Sequence, residues 1–259
     1  MLISAPALVV PALLSPSLVA PQAWSHWLLA VTLNAVLISL AQRLPLLTRA
    51  GWVHAGILGS LLWGCLGLRG WLAVVIYLAL GSLVTRLGFR TKQARGLAEA
   101  RGGLRGPENV WGSAATGALL AGAAALAPAA APLLLVGFAA SFAAKLADTF
   151  GSEIGKRWGR HTLLITTLRP VPPGTEGSIR LEGTAASLAG SALMAALMLA
   201  LGLLAGSGAW LLVTLVGLAA TLIESFIGSS FEERWGWLSN ELVNGLQAAI
   251  GALLAMAFA

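Results

Sequence analysis

The sequence predicts an all-α protein, a polytopic integral membrane bundle of about eight or nine transmembrane helices. Three observations predict it. Of the 259 residues, 58% are hydrophobic and 10% charged, against roughly 45–50% and about 25% in soluble domains. Mean hydropathy is +0.85, and apolar runs recur that are long enough to cross a hydrocarbon layer roughly 30 Å thick, where helices satisfy their own backbone polar groups. Cys65 is the single cysteine and lies inside an apolar run, which excludes a disulfide framework and a thiolate metal cluster.

The elements follow in chain order. Residues 1–23 are apolar but broken by Pro6, Pro11, Pro16 and Pro21, with no basic stretch ahead of the apolar run as a secretory signal has; they predict an irregular first span or a surface helix. Residues 24–259 read as a single transmembrane catalytic domain. Its spans fall near 24–42, 51–67, 71–88, 111–128, 131–150, 183–204, 208–230 and 237–259. Several of the ten tryptophans, among them Trp24, Trp52, Trp71 and Trp111, sit near span ends, as interfacial belts require.

Two loops differ from the rest. Residues 89–110 carry Arg90, Lys92, Arg95, Arg101 and Arg105, and residues 151–182 carry Lys156, Arg157, Arg160, Arg169 and Arg180. Two spans separate them, so both emerge on one side, which the positive-inside rule makes the cytoplasm. In this topology only Arg69 falls opposite. The formal charge of +6, with no soluble basic domain, points to anionic lipid or phosphorylated substrates and not to nucleic acid.

A weak tandem repeat is visible. Gly112 to Ala115 opens a pair of spans ending at Asp148 and Thr149, and Gly183 to Ala186 opens another ending at Glu224 and Ser225. The unit is two helices, and a parallel repeat of this kind brings its two carboxylates to comparable depth.

Carboxylates in or near a span are costly unless paired or used. Asp148 shares a helical face with Lys145 and Ser152, while Glu153 follows one turn later. The plain alternative is a Lys145–Asp148 pair that satisfies both charges. Two or three carboxylates beside many basic residues suit Mg²⁺ and phosphate, because Mg²⁺ takes a few carboxylate oxygens together with phosphate oxygens and water. A cation-coupled transporter would use the same composition. Gly174, Thr175, Glu176 and Gly177 form a Pro/Gly turn with accessible N–H groups, either an anion cradle or an ordinary turn. Asn109 is a helix cap or a ligand contact, Asn240 and Asn244 share a face that suits helix–helix hydrogen bonding, and His54 reads as a packing or hydrogen-bonding residue.

Leu146 to Gly155, Pro173 to Gly177 and Glu224 to Gly228, with Gly51 to Gly56, Lys92 to Arg105 and Asn240 to Asn244, resemble the transmembrane protein 19 family (domain of unknown function 92), which includes phytyl-phosphate kinases of plants and cyanobacteria. The resemblance spans about residues 30–255. It implies transfer of the terminal phosphoryl group of CTP, or another nucleoside triphosphate, to phytyl or a similar isoprenyl monophosphate, in a bacterial plasma or thylakoid membrane with the site facing the cytoplasm. It further implies that Asp148, Glu153 and Glu224 hold Mg²⁺ and nucleotide phosphates and that Lys92, Arg101 and Arg105 bind phosphate. Asn109, Lys145, Ser152, Ser225, Asn244 and the turn at Gly174, Thr175, Glu176 and Gly177 complete the implied nucleotide site. The prenyl tail is expected between the small-residue segments 112–125 and 183–196. A transporter and a CDP-lipid-forming nucleotidyl transferase are the alternatives.

Overall fold

The computed structural model describes residues 24–232 and 240–259; the expectation for residues 1–23 and the start of the last predicted span fall outside them. The described chain is helical throughout its long elements: α1 (Trp24–Ala41), α2 (Arg49–Arg86), α3 (Phe89–Ala94), α4 (Pro107–Leu126), α5 (Ala131–Trp158), α6 (Leu181–Ala200), α7 (Gly206–Ile227) and α8 (Asn240–Ala257). A two-stranded antiparallel ribbon, β1 (Leu163–Leu164) on β2 (Ser178–Ile179), ties the loop between α5 and α6 to itself.

Five helices among the described residues are long and apolar enough to cross a membrane: α1, α2, α5, α6 and α7. That is fewer than the eight or nine predicted, for two physical reasons. First, α4 begins with Pro107, Glu108 and Asn109, and α8 begins with Asn240 and Glu241, adding Asn244 and Gln247 within two turns. Polar residues gathered at one end lower the mean apolarity of both helices. Second, α2 is a single element of 38 residues that folds back on itself at Gly67 and so covers two of the predicted spans.

The bend is visible from side-chain contacts. An unbroken helix would hold Gly51 and Gly81 about 45 Å apart. Instead both meet Arg105: a Cβ on Gly51 would lie 2.5 Å from the Arg105 carbonyl oxygen, and one on Gly81 would lie 2.8 Å from its Nη2. Trp63 and Trp71 close the hairpin edge to face, with ring centroids 5.6 Å apart. Gly67 adopts φ 65°, ψ −159°, a region that is essentially glycine-only. Gly67→Ala is therefore expected to destabilise the protein by roughly 1–3 kcal/mol, lowering the detergent melting temperature. Gly122→Ala, a helical position with open space around it, should leave that temperature unchanged or raise it slightly.

α5 is the central helix, packed by α4, α6, α7, α8 and α2. From Gly137 to Ala147 every residue of it is buried. Phe142 meets Tyr77 of α2 at 5.3 Å and Phe138 at 5.1 Å between ring centroids. Elsewhere the association rests on small residues that let backbones approach, as in membrane bundles generally. A Cβ on Gly183 would come within 2.8 Å of the Gly151 carbonyl oxygen, and one on Gly190 within 2.9 Å of that of Leu146. Gly117 lies equally tight under Phe142. The segments 112–125 and 183–196 both pack on α5, at Gly117 against Phe142 and at Gly183 and Gly190 against Gly151 and Leu146.

Two loop boundaries also move. α5 continues to Trp158 instead of ending near 150, because Gly151 and Gly155 let its last turns lie against Gly183. Within 89–110 the chain forms α3, a 3-10 turn at Ala100–Gly103 and the first turn of α4. Pro107 opens α4 where its missing N–H costs nothing.

Candidate functional site

The N-termini of α4, α6 and α8 and the C-termini of α2, α5 and α7 share one end of the bundle. Gly112 faces Glu241, Gly151 faces Gly183, and Thr221 Oγ1 lies 3.4 Å from the Ala144 carbonyl oxygen. Both loops predicted to lie on one side are here, whereas Arg69 is at the opposite end, against Gly202. Asp148, Glu153 and Glu224 are carried to this charged end by α5 and α7.

The first cluster centres on Lys145, 2% exposed. Its Nζ donates to Asp148 Oδ2 at 3.0 Å, to Gln247 Oε1 at 2.7 Å and to Asn244 Oδ1. An ammonium has three donors, so all of them are committed to protein acceptors. Gln247 Nε2 in turn donates to the Ala144 carbonyl at 3.2 Å and to Thr221 Oγ1 at 3.1 Å. This network joins α5, α7 and α8. The Lys145–Asp148 pair is present, as its plain reading holds, yet the Asp148 side chain keeps 26% of its surface exposed. α5 and α7 run parallel, and the Thr221–Ala144 contact fixes their register. It puts Glu224, one turn beyond Thr221, level with Asp148, one turn beyond Ala144.

The second cluster lies two turns further along α5. Lys92, fully buried, donates to the Thr85 carbonyl at 2.7 Å and to Glu153 Oε2. Glu153 Oε1 faces Lys156 Nζ at 3.8 Å, and Lys156 donates to Glu99 Oε1 at 2.6 Å. Burial pushes the Glu99 carboxyl up, but the charge of Lys156 and its hydrogen bond outweigh this and hold it below the ordinary carboxylate value. The chain of charges fastens α3 and the loop after it to α5.

Around these clusters lie the remaining predicted residues. Asn109 Oδ1 accepts from the Gly106 amide at 2.9 Å, closing the start of α4, and from Arg101 at 3.0 Å; Arg101 also donates to Glu108. Arg105 is pinned by its backbone, which donates to the Leu46 carbonyl at 3.2 Å and accepts from the Thr48 amide at 3.0 Å. Its guanidinium lies over Gly81. Ser152 Oγ donates to the Thr149 carbonyl at 3.3 Å, on the α5 turn after Asp148. The turn at Gly174–Gly177 packs between the 89–110 loop and the end of α7: Gly174 against Leu97, and Gly177 against the Ser225 carbonyl and Ser229. Thr175 Oγ1 donates to the Pro172 carbonyl at 2.8 Å, and Glu176 is exposed. His54 Nδ1 accepts from Trp111 Nε1 at 2.8 Å, the hydrogen-bonding role expected of it.

The structure therefore joins Lys145, Asp148 and Asn244 in one network, Lys92 and Glu153 in another, and the 174–177 turn with Ser225. Among the described residues no three of His, Cys, Asp and Glu converge as a metal cluster. Sequence reasoning missed Gln247, Thr221 and Glu99, and placed Lys156 only among the basic residues of the 151–182 loop. Gln247 had a signal, since it stands three residues after Asn244 on the same helical face. Thr221 and Glu99 had none, because their partners lie 26 and 57 residues away.

Comparison with known proteins agrees with this architecture. A family model described as integral membrane protein DUF92 matches residues 32–252. An uncharacterized membrane protein of Synechocystis sp. is 48% identical, covering 89% of this chain and 90% of its own. Protein VTE6, chloroplastic, of Arabidopsis thaliana is 38% identical, covering 89% of this chain and 71% of its own. An uncharacterized membrane protein of Methanocaldococcus jannaschii is 29% identical, covering 87% and 91%. No solved structure matches. Since the family model takes in most of the helical bundle and every helix end that builds the charged site, the chain belongs to the DUF92 family of integral membrane proteins.

Proposed function

We propose that this protein is a membrane prenyl-phosphate kinase, which moves the terminal phosphoryl group of CTP or another nucleoside triphosphate to phytyl or a similar isoprenyl monophosphate. The observation that carries the reading is the convergence at one bundle end of Asp148, level with Glu224, with a glycine turn and two basic loops. Support comes also from the likeness to a family that includes phytyl-phosphate kinases and from the relation to Protein VTE6, chloroplastic. By the positive-inside rule the charged end faces the cytoplasm, where the nucleotide is.

The donor set fits Mg²⁺. One or two carboxylates suffice when phosphates supply further oxygens, and Asp148 is partly exposed with one oxygen on Lys145. Asp148 and Glu224 are the residues that would hold it; Glu153 faces Lys92 and Lys156 with its two oxygens, so in this arrangement it serves as their counter-charge. Bound there, Mg²⁺ would neutralise charge on the transferring phosphoryl group. The remaining work belongs to the protein. The acceptor phosphate is already an oxyanion near neutral pH, so no general base is required. The principal barrier is repulsion between two anions. Arg101, Arg105 and the N–H groups of the 174–177 turn offset it, while Lys145 fixes the Asp148 carboxylate and the Lys92–Glu153 pair fixes the loop that carries Arg101 and Arg105.

A transporter reading would need acids near the bilayer midplane with access from both sides. Asp148 instead pairs with Lys145, which also donates to Asn244 near the start of α8, on the side of the bundle where both basic loops emerge. The test is purified protein with Mg²⁺, CTP or ATP, and phytyl, geranylgeranyl or farnesyl phosphate. Prenyl diphosphate should appear with a nucleoside diphosphate; no product with any pair, from folded protein, would sink the kinase reading.

A further inference from the structure

An apolar cavity of about 310 Å³ opens between α1, the α2 hairpin and the start of α4. That volume lies within the range of small-molecule pockets, roughly 300–1,000 Å³. Its walls include Ile38, Leu44, Ala55, Val74 and Leu78. Among the described residues lining it Arg105 is the one charged side chain, and none is a carboxylate. Arg105 sits at the level of Gly81, at the charged end. The opposite limit is Trp71, ten residues along the same half of α2, hence about 15 Å deeper. There Trp71 Nε1 donates to Asn34 Oδ1 at 2.9 Å, and Asn34 Nδ2 donates to the Ala30 carbonyl at 2.8 Å. The polar atoms of the floor thus satisfy each other and leave the cavity an apolar bottom.

We propose that this cavity seats the isoprenoid tail of the phosphorylated lipid, with Arg105 holding the phosphate at the mouth and the Trp71–Asn34 pair setting the depth. The proposal rests on the kinase reading for the identity of the lipid, but not for the existence of the seat. Charge complementarity selects the occupant: an apolar channel with a single guanidinium at one end matches one anionic headgroup on one hydrocarbon chain. The phosphate end also lies where the chemistry needs it. The 89–110 loop that carries Arg105 is fastened to α5 through Lys92–Glu153 and Lys156–Glu99, one to two turns beyond Asp148. The outer wall is α1, which packs on α2 and buries only Ala30 and Asn34. A lipid can therefore enter from the bilayer without disturbing α5.

Two variants narrow the cavity from opposite walls, Val74→Phe on α2's second half and Ala55→Leu on its first. Adding methylenes to a full apolar site costs about tenfold or more in kcat/KM. The loss should be greatest for phytyl phosphate and should shrink through farnesyl and geranyl to dimethylallyl phosphate. A photoreactive farnesyl phosphate analogue, used with full-length protein in detergent and no nucleotide, supplies a readout that turnover does not. It should label peptides containing residues 71–78 or 34–41, and excess farnesyl phosphate should suppress that labelling where farnesol or phosphatidic acid does not. Labelling at these residues without any turnover would leave the seat standing and remove the kinase reading. Turnover with labelling elsewhere, suppression by phosphatidic acid alone, or a loss independent of chain length would overturn the seat. Neither labelling nor turnover, in protein that melts normally, would overturn both.

Discussion

Asp148→Asn is expected to reduce prenyl-diphosphate formation by about a thousandfold or more while the protein remains folded. The carboxylate is the partly exposed member of the Lys145 network, and a metal held there contributes several kcal/mol of transition-state charge stabilisation, with each ~1.4 kcal/mol worth tenfold in rate. Asparagine keeps the shape and can still accept from Lys145, which retains Asn244 and Gln247. The melting temperature in detergent should therefore fall little. Activity assayed beside a thermal melt checks both halves. A variant that keeps a tenth or more of wild-type turnover would remove Asp148 from the site.

Lys92→Met is expected to have the largest effect on stability. Lys92 is fully buried, Glu153 is 2% exposed, and the two are paired across elements 61 residues apart. Removing one member leaves the other charge buried, which typically costs 3–5 kcal/mol; Lys156 at 3.8 Å from the second oxygen keeps the cost toward about the lower figure. The double variant Lys92→Met/Glu153→Gln removes both charges and should recover much of the melting temperature. It also separates two roles. If the pair only holds the 89–110 loop on α5, turnover returns with stability. If Lys92 contacts phosphate during the reaction, stability returns and turnover does not.

The charged end was legible in the sequence because nearly all ionisable residues are confined to it. With ten acids in 259 residues, spacing around Asp148 pointed to the Lys145 face, which the structure shows. The parallel register of α5 and α7 agrees with two-helix units ending in Asp148 and Glu224. Other features were not legible, each for a physical reason. The folding of α2 at Gly67 depends on one glycine's backbone angles, and thirty-one glycines give no sign of which one bends. The burial of Lys92 against Thr85 and Glu153 depends on how α3 folds back, a tertiary event without local periodicity. The cavity has no local signal for a similar reason. Small residues at 112–125 and 183–196 suggest space, whereas in a membrane bundle they permit close packing, and the cavity lies mainly beside bulkier residues of α1 and α2, with Ser113 and Ala114 also lining it.

Kinase and nucleotidyl transfer are separated by two differently labelled nucleotides. Purified protein in lipid vesicles with Mg²⁺ and phytyl phosphate receives CTP labelled at the terminal phosphate or at the α-phosphate. The terminal label is expected to enter the lipid as prenyl diphosphate and the α-label to stay in CDP, with both signals dependent on Asp148. Entry of the α-label into the lipid with release of pyrophosphate would contradict the kinase reading and identify a CDP-lipid-forming nucleotidyl transferase.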